Sequence, residues 1–219
     1  METFMTTKTK IICALSAFLA FFSAQYVLIS INTFGRVANT IPQFWGFIVL
    51  AIISTFTSYF IAFKENITEE SRIYKYRYTW IAIATYYVFV VTASIVGTSF
   101  GITTKTQANQ NALNELLKYN APILITYMTV IAPILEEVIF RHIIPKRLSF
   151  GTKNDWFGYT IGFILFLMLH SPQGVMGYIT YGGMALMFTF MRIYYNNINA
   201  SILTHITWNS IIVLIMYIN

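Results

Sequence analysis

The chain has little charge and almost no cysteine. Asp, Glu, Lys and Arg make up 10% of its 219 residues, whereas 57% of the residues are hydrophobic. Soluble globular domains contain about 25% charged residues, so the composition argues against a soluble fold and indicates a polytopic membrane protein. The single cysteine, Cys13, excludes a disulfide within the chain and a metal site built from cysteine ligands.

The charge that is present is mostly positive. Lys and Arg number 14 against 8 Asp and Glu, which gives a formal net charge of +6. The basic residues lie between apolar segments and form no stripe with interleaved aromatic residues, so they do not indicate a nucleic-acid partner. Most of them lie in the amino-terminal tail and in the second, fourth and sixth connections. The positive-inside rule therefore predicts a cytoplasmic amino terminus.

Seven apolar segments approach the length of about 20 residues that a membrane span needs. They cover residues 11–31, 43–63, 79–101, 121–144, 156–170, 175–191 and 198–218. The fifth and sixth are short and separated only by "SPQG", which predicts a tight helical hairpin. In the fifth, Gly158 and Gly162 form a GxxxG pattern that predicts close helix packing. The predicted fold is all-α, a bundle of about seven transmembrane helices in one membrane domain over residues 1–219.

The connection between the third and fourth segments contains one further candidate element. Five small or apolar residues fall on one face of a helix there, namely Ala108, Ala112, Leu113, Leu116 and Leu117. This pattern predicts a short amphipathic helix at the membrane interface, with a plain linker as the alternative.

The fourth segment contains charged residues, which are expensive in hydrocarbon. Glu136 and Glu137 are adjacent, and Arg141 follows Glu137 by four residues, so the last two can pair on one helix face. One interpretation of this pair is a structural bridge between packed helices, and the other is a functional site. His142 belongs to no pattern and is expected near the interface.

Two further segments carry histidines. His170 ends the fifth segment and follows Phe166 by four residues, while His205 lies in the seventh and precedes Asn209 by four. Residues four apart share a helix face. Taken separately, His170 could be an ordinary histidine at the membrane interface. Asn209 could be an ordinary asparagine that forms a hydrogen bond between helices. Together with the two glutamates, however, they form a set on three helices that is able to hold and activate water.

Other hydrolytic chemistries lack their residues in this sequence. There is no His-Glu-x-x-His helix, so the usual zincin arrangement is absent. There is also no G-x-S-x-G elbow, and no Gly-x-Gly-Asp stretch indicates an aspartyl dyad. A serine nucleophile stays open, because spacing alone does not decide it, but no serine accompanies the histidines convincingly and Ser210 lies one helical step off the His205 face. The glutamates and histidines are the leading candidate site.

Three short stretches carry a resemblance to a known family. They are "EEVIFR" at residues 136–141, "FLMLH" at 166–170 and "HITWN" at 205–209. In this order they resemble the E-E-x-x-x-R, F-x-x-x-H and H-x-x-x-N motifs of the CAAX-protease and bacteriocin-processing family of intramembrane proteases, also called the CPBP or Abi family. The resemblance covers roughly residues 121–215, which would form the motif-bearing catalytic core.

The resemblance implies hydrolysis of a peptide bond within or at the membrane. Eukaryotic members remove the last three residues of prenylated CAAX proteins, and many bacterial members are linked to bacteriocin maturation or self-immunity. Carried onto this chain, Glu136 and His170 would position and activate water, while His205 and Asn209 would stabilise the oxyanion. The implied site therefore consists of catalytic Glu136, Glu137, His170, His205 and Asn209, with Arg141 and Phe166 in support.

The resemblance leaves the cofactor open. Members of the family are often described as metalloproteases, in which case Zn²⁺ would be held by Glu136, His170 and His205. Glutamate-activated water without a metal is the alternative. The expected partners are the lipid bilayer and a membrane-associated protein or hydrophobic peptide substrate, and the expected location is a bacterial plasma membrane.

Two other functional classes remain as alternatives. The chain could be a non-catalytic membrane protein that binds a partner, such as an immunity factor or a regulator, and that keeps these residues as a structural polar network. It could also be a small transporter that uses Glu136 and Glu137 as a proton relay.

The depths of the candidate residues agree only in part. At 1.5 Å of rise per residue, Glu136 and His205 each lie roughly 10–14 Å from the cytoplasmic end of their segment. His170 lies roughly 20 Å deep if its segment begins near Trp156. The sequence therefore predicts a mismatch that only a tilted or later-starting fifth helix would remove.

Overall fold

The computed structural model describes residues 7–34, 42–67, 77–102, 122–148 and 156–218. Within these ranges the chain forms seven helices and no strand. They are α1 (Thr7–Phe34), α2 (Pro42–Ile67), α3 (Arg77–Ser99), α4 (Pro122–Leu148), α5 (Trp156–His170), α6 (Gly174–Tyr195) and α7 (Ile198–Ile218). The all-α prediction is confirmed. The amphipathic helix predicted around Ala108–Leu117 lies outside the described residues.

Six of the seven helices are long and apolar enough to cross a membrane, so the chain is a multi-pass membrane protein. The exception is α5, whose 15 residues extend for about 22 Å and fall short of a hydrocarbon core of about 30 Å. Counting this segment as a seventh full span was therefore wrong. The sixth segment was expected to be short as well, but α6 has 22 residues.

Helix α4 is not a regular α-helix. It contains two wider π-helical stretches, Tyr127–Ile131 and Val138–Ile143, separated by the α-helical turns of Ala132–Glu137. Pro133 explains the first stretch, because a proline has no N–H to donate and its ring crowds the preceding turn. Such π turns inside helices are frequent at functional sites. Here they bracket the two glutamates.

Close packing between α4 and α5 depends on two glycines. A Cβ atom on Gly162 would collide with the carbonyl oxygen of Phe140, and one on Gly158 would collide with the backbone of Pro145. The packing predicted from the GxxxG pattern is therefore confirmed, and its partner is α4. This contact sets α5 directly against the helix that carries the glutamates.

Two apolar clusters make up most of the core, and α4 and α7 contribute to both. The first joins them to α1 and α2, with Leu135 and Ile202 among its buried residues. The second joins them to α3, α5 and α6 around Phe140, Phe188 and Trp208. The two helices that carry the glutamates and His205 are thus fixed on both sides.

The predicted mismatch in depth disappears in the structure. Helix α4 continues to Leu148, so Glu136 lies 12 residues, or about 18 Å, from its end. His170 lies about 21 Å from the start of α5. The two side chains therefore reach the same level, because α4 is longer than its apolar segment.

Candidate active site

A cavity of about 750 Å³ lies between α1, α4, α5, α6 and α7. Most of its wall is apolar, and it includes Phe18 and Phe21 of α1 and Leu165 and Leu169 of α5. The polar residues in the wall include Gln25, Glu136, His170, Thr180, His205 and Asn209. An apolar cavity with a few convergent polar groups is the usual form of a binding site for a small or extended ligand.

Glu136 lies at the centre of these polar groups. Its Oε2 atom is 3.8 Å from Nε2 of His170 and 3.8 Å from Nε2 of His205. Within the described part of the chain, Oε2 has no hydrogen-bond partner. Both separations are too long for direct hydrogen bonds but suit a water molecule that bridges the carboxylate and the imidazoles.

Glu137, the adjacent residue, has a different environment. Its side chain is fully buried, and Oε1 accepts a hydrogen bond from Nδ1 of His205 at 2.9 Å. The same oxygen forms an ion pair with Nη1 of Arg141 at 3.1 Å. Arg141 is also buried and donates from Nη2 to the carbonyl oxygen of Ala185. Glu137 therefore connects α4 to α7 and does not line the cavity.

The hydrogen-bond partners indicate the tautomer of each histidine. Nδ1 of His170 lies 2.9 Å from the carbonyl oxygen of Phe166, and a carbonyl only accepts, so this nitrogen carries the proton. Nδ1 of His205 likewise donates to the Glu137 carboxylate. In both rings Nε2 therefore faces Glu136. When the ring is neutral and Nδ1 carries the proton, Nε2 is a hydrogen-bond acceptor.

Aromatic rings hold both histidines in place. Phe166 stacks on His170 with ring centroids 4.2 Å apart, and its ring lies 4.6 Å from Cζ of Arg141. Phe188 stacks on His205 with centroids 4.1 Å apart and lies 5.6 Å from the same Cζ. Arg141 thus packs between two rings, each of which supports one histidine.

Asn209 lines the cavity and contacts α4. Its Nδ2 donates a hydrogen bond to the carbonyl oxygen of Met128 at 2.9 Å. A side-chain amide has two N–H groups, so one remains for a second acceptor. The asparagine is therefore tied to the helix of the glutamates by one donor and can act with the other.

The structure brings the sequence-predicted residues together on α4, α5 and α7. Direct side-chain contacts join Glu136, Glu137, Arg141, Phe166, His170 and His205, and Asn209 lines the same cavity. His142 is buried, with 3% exposure, and is not among the residues that line the cavity, and its position near the interface stays a prediction. Sequence reasoning missed Phe188, because a phenylalanine within an apolar segment has no signal that separates it from ordinary core residues.

The residues that would hold zinc have suitable chemistry, since two imidazole nitrogens and a carboxylate oxygen are zinc ligands. However, no group of three or more His, Cys, Asp or Glu side chains among the described residues is arranged as a metal site. Zinc bound by Glu136, His170 and His205 stays a prediction.

Residues 118–211 match the family model of the Rce1-like type II CAAX prenyl endopeptidases. The resemblance to CAAX proteases is confirmed for this part of the chain. The matched region contains all three motifs and lies mainly on α4–α7. We call residues 118–211 the CAAX-protease-like core.

One curated relative is the UPF0177 protein YvdC of Lactococcus lactis subsp. lactis (strain IL1403). It is 27% identical to this chain over 165 residues, which cover 74% of this chain and 62% of that protein. No solved structure matches the chain.

Proposed function

We propose that this protein is an intramembrane peptidase that hydrolyses a peptide bond of a membrane-associated protein or hydrophobic peptide precursor. One observation carries the proposal: Oε2 of Glu136 lies 3.8 Å from Nε2 of both His170 and His205, in the wall of an apolar cavity. The match of the CAAX-protease-like core to a peptidase family supports the same reaction.

The attacking nucleophile is a water molecule held by Glu136 and His170. One hydrogen of the water points to Oε2 of Glu136 and the other to Nε2 of His170, whose proton is fixed on Nδ1 by Phe166. The water oxygen then directs a lone pair into the cavity. A positioned base of this kind accelerates proton transfer by about 10²–10⁴-fold.

His205 and Asn209 stabilise the negative charge that forms on the substrate oxygen. Since Nδ1 of His205 donates to Glu137, Nε2 becomes a donor only when the ring is protonated. In that form Nε2 can donate to the oxyanion together with the second N–H of Asn209. Each donor of this kind is worth about 2.7–4 kcal/mol.

The reaction balances with the groups present. Water adds to the carbonyl carbon as its proton passes to Glu136, and the carbonyl oxygen becomes an oxyanion held by His205 and Asn209. Glu136 then returns the proton to the amide nitrogen, the C–N bond breaks, and an amine and a carboxylic acid leave. Glu137 and Arg141 touch no reacting atom in this scheme, but they hold His205 in place.

The cavity indicates the class of substrate. The residues of α1 and α5 that line it are mostly large and apolar, so it suits an apolar segment of a membrane-resident chain. A role in bacteriocin maturation or self-immunity, in a bacterial plasma membrane, is the physiological setting that we propose. The bacterial origin of the curated relative supports the membrane assignment.

The proposal can be tested without knowing the substrate. The wild-type protein and its Glu136→Gln variant are expressed in a bacterial host, and new peptide termini in the membranes are identified by mass spectrometry. We expect termini within or beside apolar segments in the wild-type sample alone, with oxygen from labelled water in the new carboxyl groups. The same termini in both samples would overturn the proposal.

The same samples also test whether the protein uses zinc and whether it is a non-catalytic protein. Elemental analysis of the purified wild-type protein, before and after chelation, shows whether zinc accompanies the activity. Ser210→Ala serves as the matched control, because Ser210 is exposed on α7 and its hydroxyl donates to the carbonyl oxygen of Ile206 in the same helix. A biological effect that survives Glu136→Gln would identify a regulator or immunity factor instead of a peptidase.

A further inference from the structure

Pro133 lies three residues before Glu136 and interrupts the hydrogen bonds of α4. In the preceding π turn, the backbone N–H of Ala132 donates to the carbonyl oxygen of Tyr127, five residues earlier. The next donor in this pattern would be residue 133, and its acceptor would be Met128. Because proline has no N–H, the carbonyl of Met128 lacks this bond from its own helix.

Asn209 of α7 takes the position that this missing donor leaves. Its Nδ2 donates to the Met128 carbonyl oxygen at 2.9 Å. Since a carbonyl can only accept, the bond also decides which end of the amide faces α4. Pro133 itself is buried, so it is not a proline of an exposed helix end.

We propose that Pro133 is a positioning residue that orients Asn209 through the carbonyl of Met128. A proline within a helix weakens that helix, and here the freed carbonyl anchors an oxyanion donor from another helix. This inference rests on the role proposed above for Asn209. The inference adds to the site a residue that lies outside the three motifs. It also connects the first π turn of α4 with the orientation of Asn209.

A spectroscopic experiment tests the contact without any substrate. The protein is labelled with ¹⁵N-asparagine in detergent micelles, and the side-chain resonance of Asn209 is assigned by its loss in Asn209→Ala. Pro133→Ala restores a backbone N–H that competes for the Met128 carbonyl, and Pro133→Val does so while keeping apolar bulk. We expect both variants to shift the Asn209 resonance and to increase its exchange with solvent.

The matched control is Pro122→Ala. Pro122 is exposed at the first residue of the same helix, where a missing N–H deprives no carbonyl of a partner. The Asn209 resonance should therefore stay unchanged in this variant. An unchanged resonance in both Pro133 variants would overturn the inference, as would failure of both to fold, since Pro133 would then be required for packing instead.

Kinetics separate this inference from the proposed function. With a quenched fluorescent peptide copied from a cleavage site identified above, Pro133→Ala should lower kcat about fivefold, the value of one ordinary hydrogen bond, and leave KM unchanged. Combined with Asn209→Ala, it should cause no further loss, because both changes remove the same contact. If the double variant loses activity by the product of the two single losses, the inference is overturned. The same holds if Pro133→Ala has a normal kcat while Asn209→Ala has a lowered one.

Full activity of Asn209→Ala would instead refute the proposed catalytic role of the asparagine.

Discussion

The two adjacent carboxylates of α4 lie on different faces of the helix and have different environments. On the cavity face, Glu136 keeps an oxygen without a hydrogen-bond partner among the described residues and faces two imidazole nitrogens at 3.8 Å. On the buried face, Oε1 of Glu137 is held by both Arg141 and His205, while its Oε2 has no partner among the described residues either. The difference is one of position, because Glu136 lines the cavity whereas Glu137 ties α4 to α7 and does not line it. Only the first of the two carboxylates can therefore reach a ligand in the cavity.

The largest effect is expected on the cavity face. Glu136→Gln keeps the shape of the side chain but removes the base, so we expect cleavage to fall by at least about 10²–10⁴-fold. The melting temperature in micelles should stay within a few degrees of the wild type, because Oε2 of Glu136 lies 3.8 Å from the imidazole nitrogens, too far for direct hydrogen bonds that hold helices together. Cleavage of the quenched peptide and thermal unfolding measure the two effects. A large loss of stability would show that Glu136 has a structural role, as Glu137 does, and that the two carboxylates do not differ in function.

The reverse pattern is expected on the buried face. Glu137→Ala leaves the Arg141 guanidinium buried without its partner, which costs about 3–5 kcal/mol in the free energy of unfolding. Denaturant unfolding in micelles measures this loss. Removing both charges, as in Glu137→Ala with Arg141→Met, should recover part of the stability but not the activity, because His205 still lacks its acceptor. A double variant no more stable than the single one would contradict the ion-pair explanation.

A smaller effect is expected where α5 meets α4. Gly162→Ala would push a methyl group against the carbonyl oxygen of Phe140 and destabilise the fold by about 1–3 kcal/mol. It should also lower cleavage, because His170 moves away from Glu136. Gly182→Ala is the control, since its nearest neighbour would be the Phe163 ring at 3.9 Å, an ordinary contact. Equal effects of the two substitutions in thermal unfolding and cleavage would show that the α4–α5 contact is not special.

The smallest effect is expected at the ring behind His205. Phe188→Leu keeps an apolar side chain but removes the stacking, which is worth about 0.5–1.5 kcal/mol. We expect kcat to fall a few-fold with KM unchanged, and Phe188→Tyr to retain more activity than Phe188→Leu. Phe190→Leu is the control, because Phe190 lies on the same helix with 58% exposure. A change in KM alone would place Phe188 in substrate binding and not in positioning.

Much of the fold and the composition of the candidate site could be predicted from the sequence. Apolar length indicates helices directly, and spacing by four residues correctly paired Glu137 with Arg141 and Phe166 with His170. Such pairs are local, because they depend only on the rise and turn of one helix. The glycine pattern of α5 also predicted that this helix packs closely against another, although it could not identify α4 as the partner.

The division of labour between Glu136 and Glu137 could not be predicted in the same way. The first π turn, Tyr127–Ile131, precedes both glutamates, and wider turns rotate the following residues relative to an ideal α-helix. Which carboxylate faces the cavity depends on this rotation and on the packing of α7. The stacking of Phe188 on His205 likewise depends on how α6 lies against α7, which no spacing within one helix reports.

The shortness of α5 has a consequence for the lipid around the protein. Its 15 residues span about 22 Å beside the 22 residues of α6, which span about 33 Å. The missing length lies beyond His170, where Ser171 and Gln173 are exposed. We expect the bilayer to thin there through hydrophobic mismatch, so that headgroups and their hydration descend toward the tip of α5. The proposed peptidase reaction consumes water, and this local depression would deliver it within reach of the histidine that ends the helix.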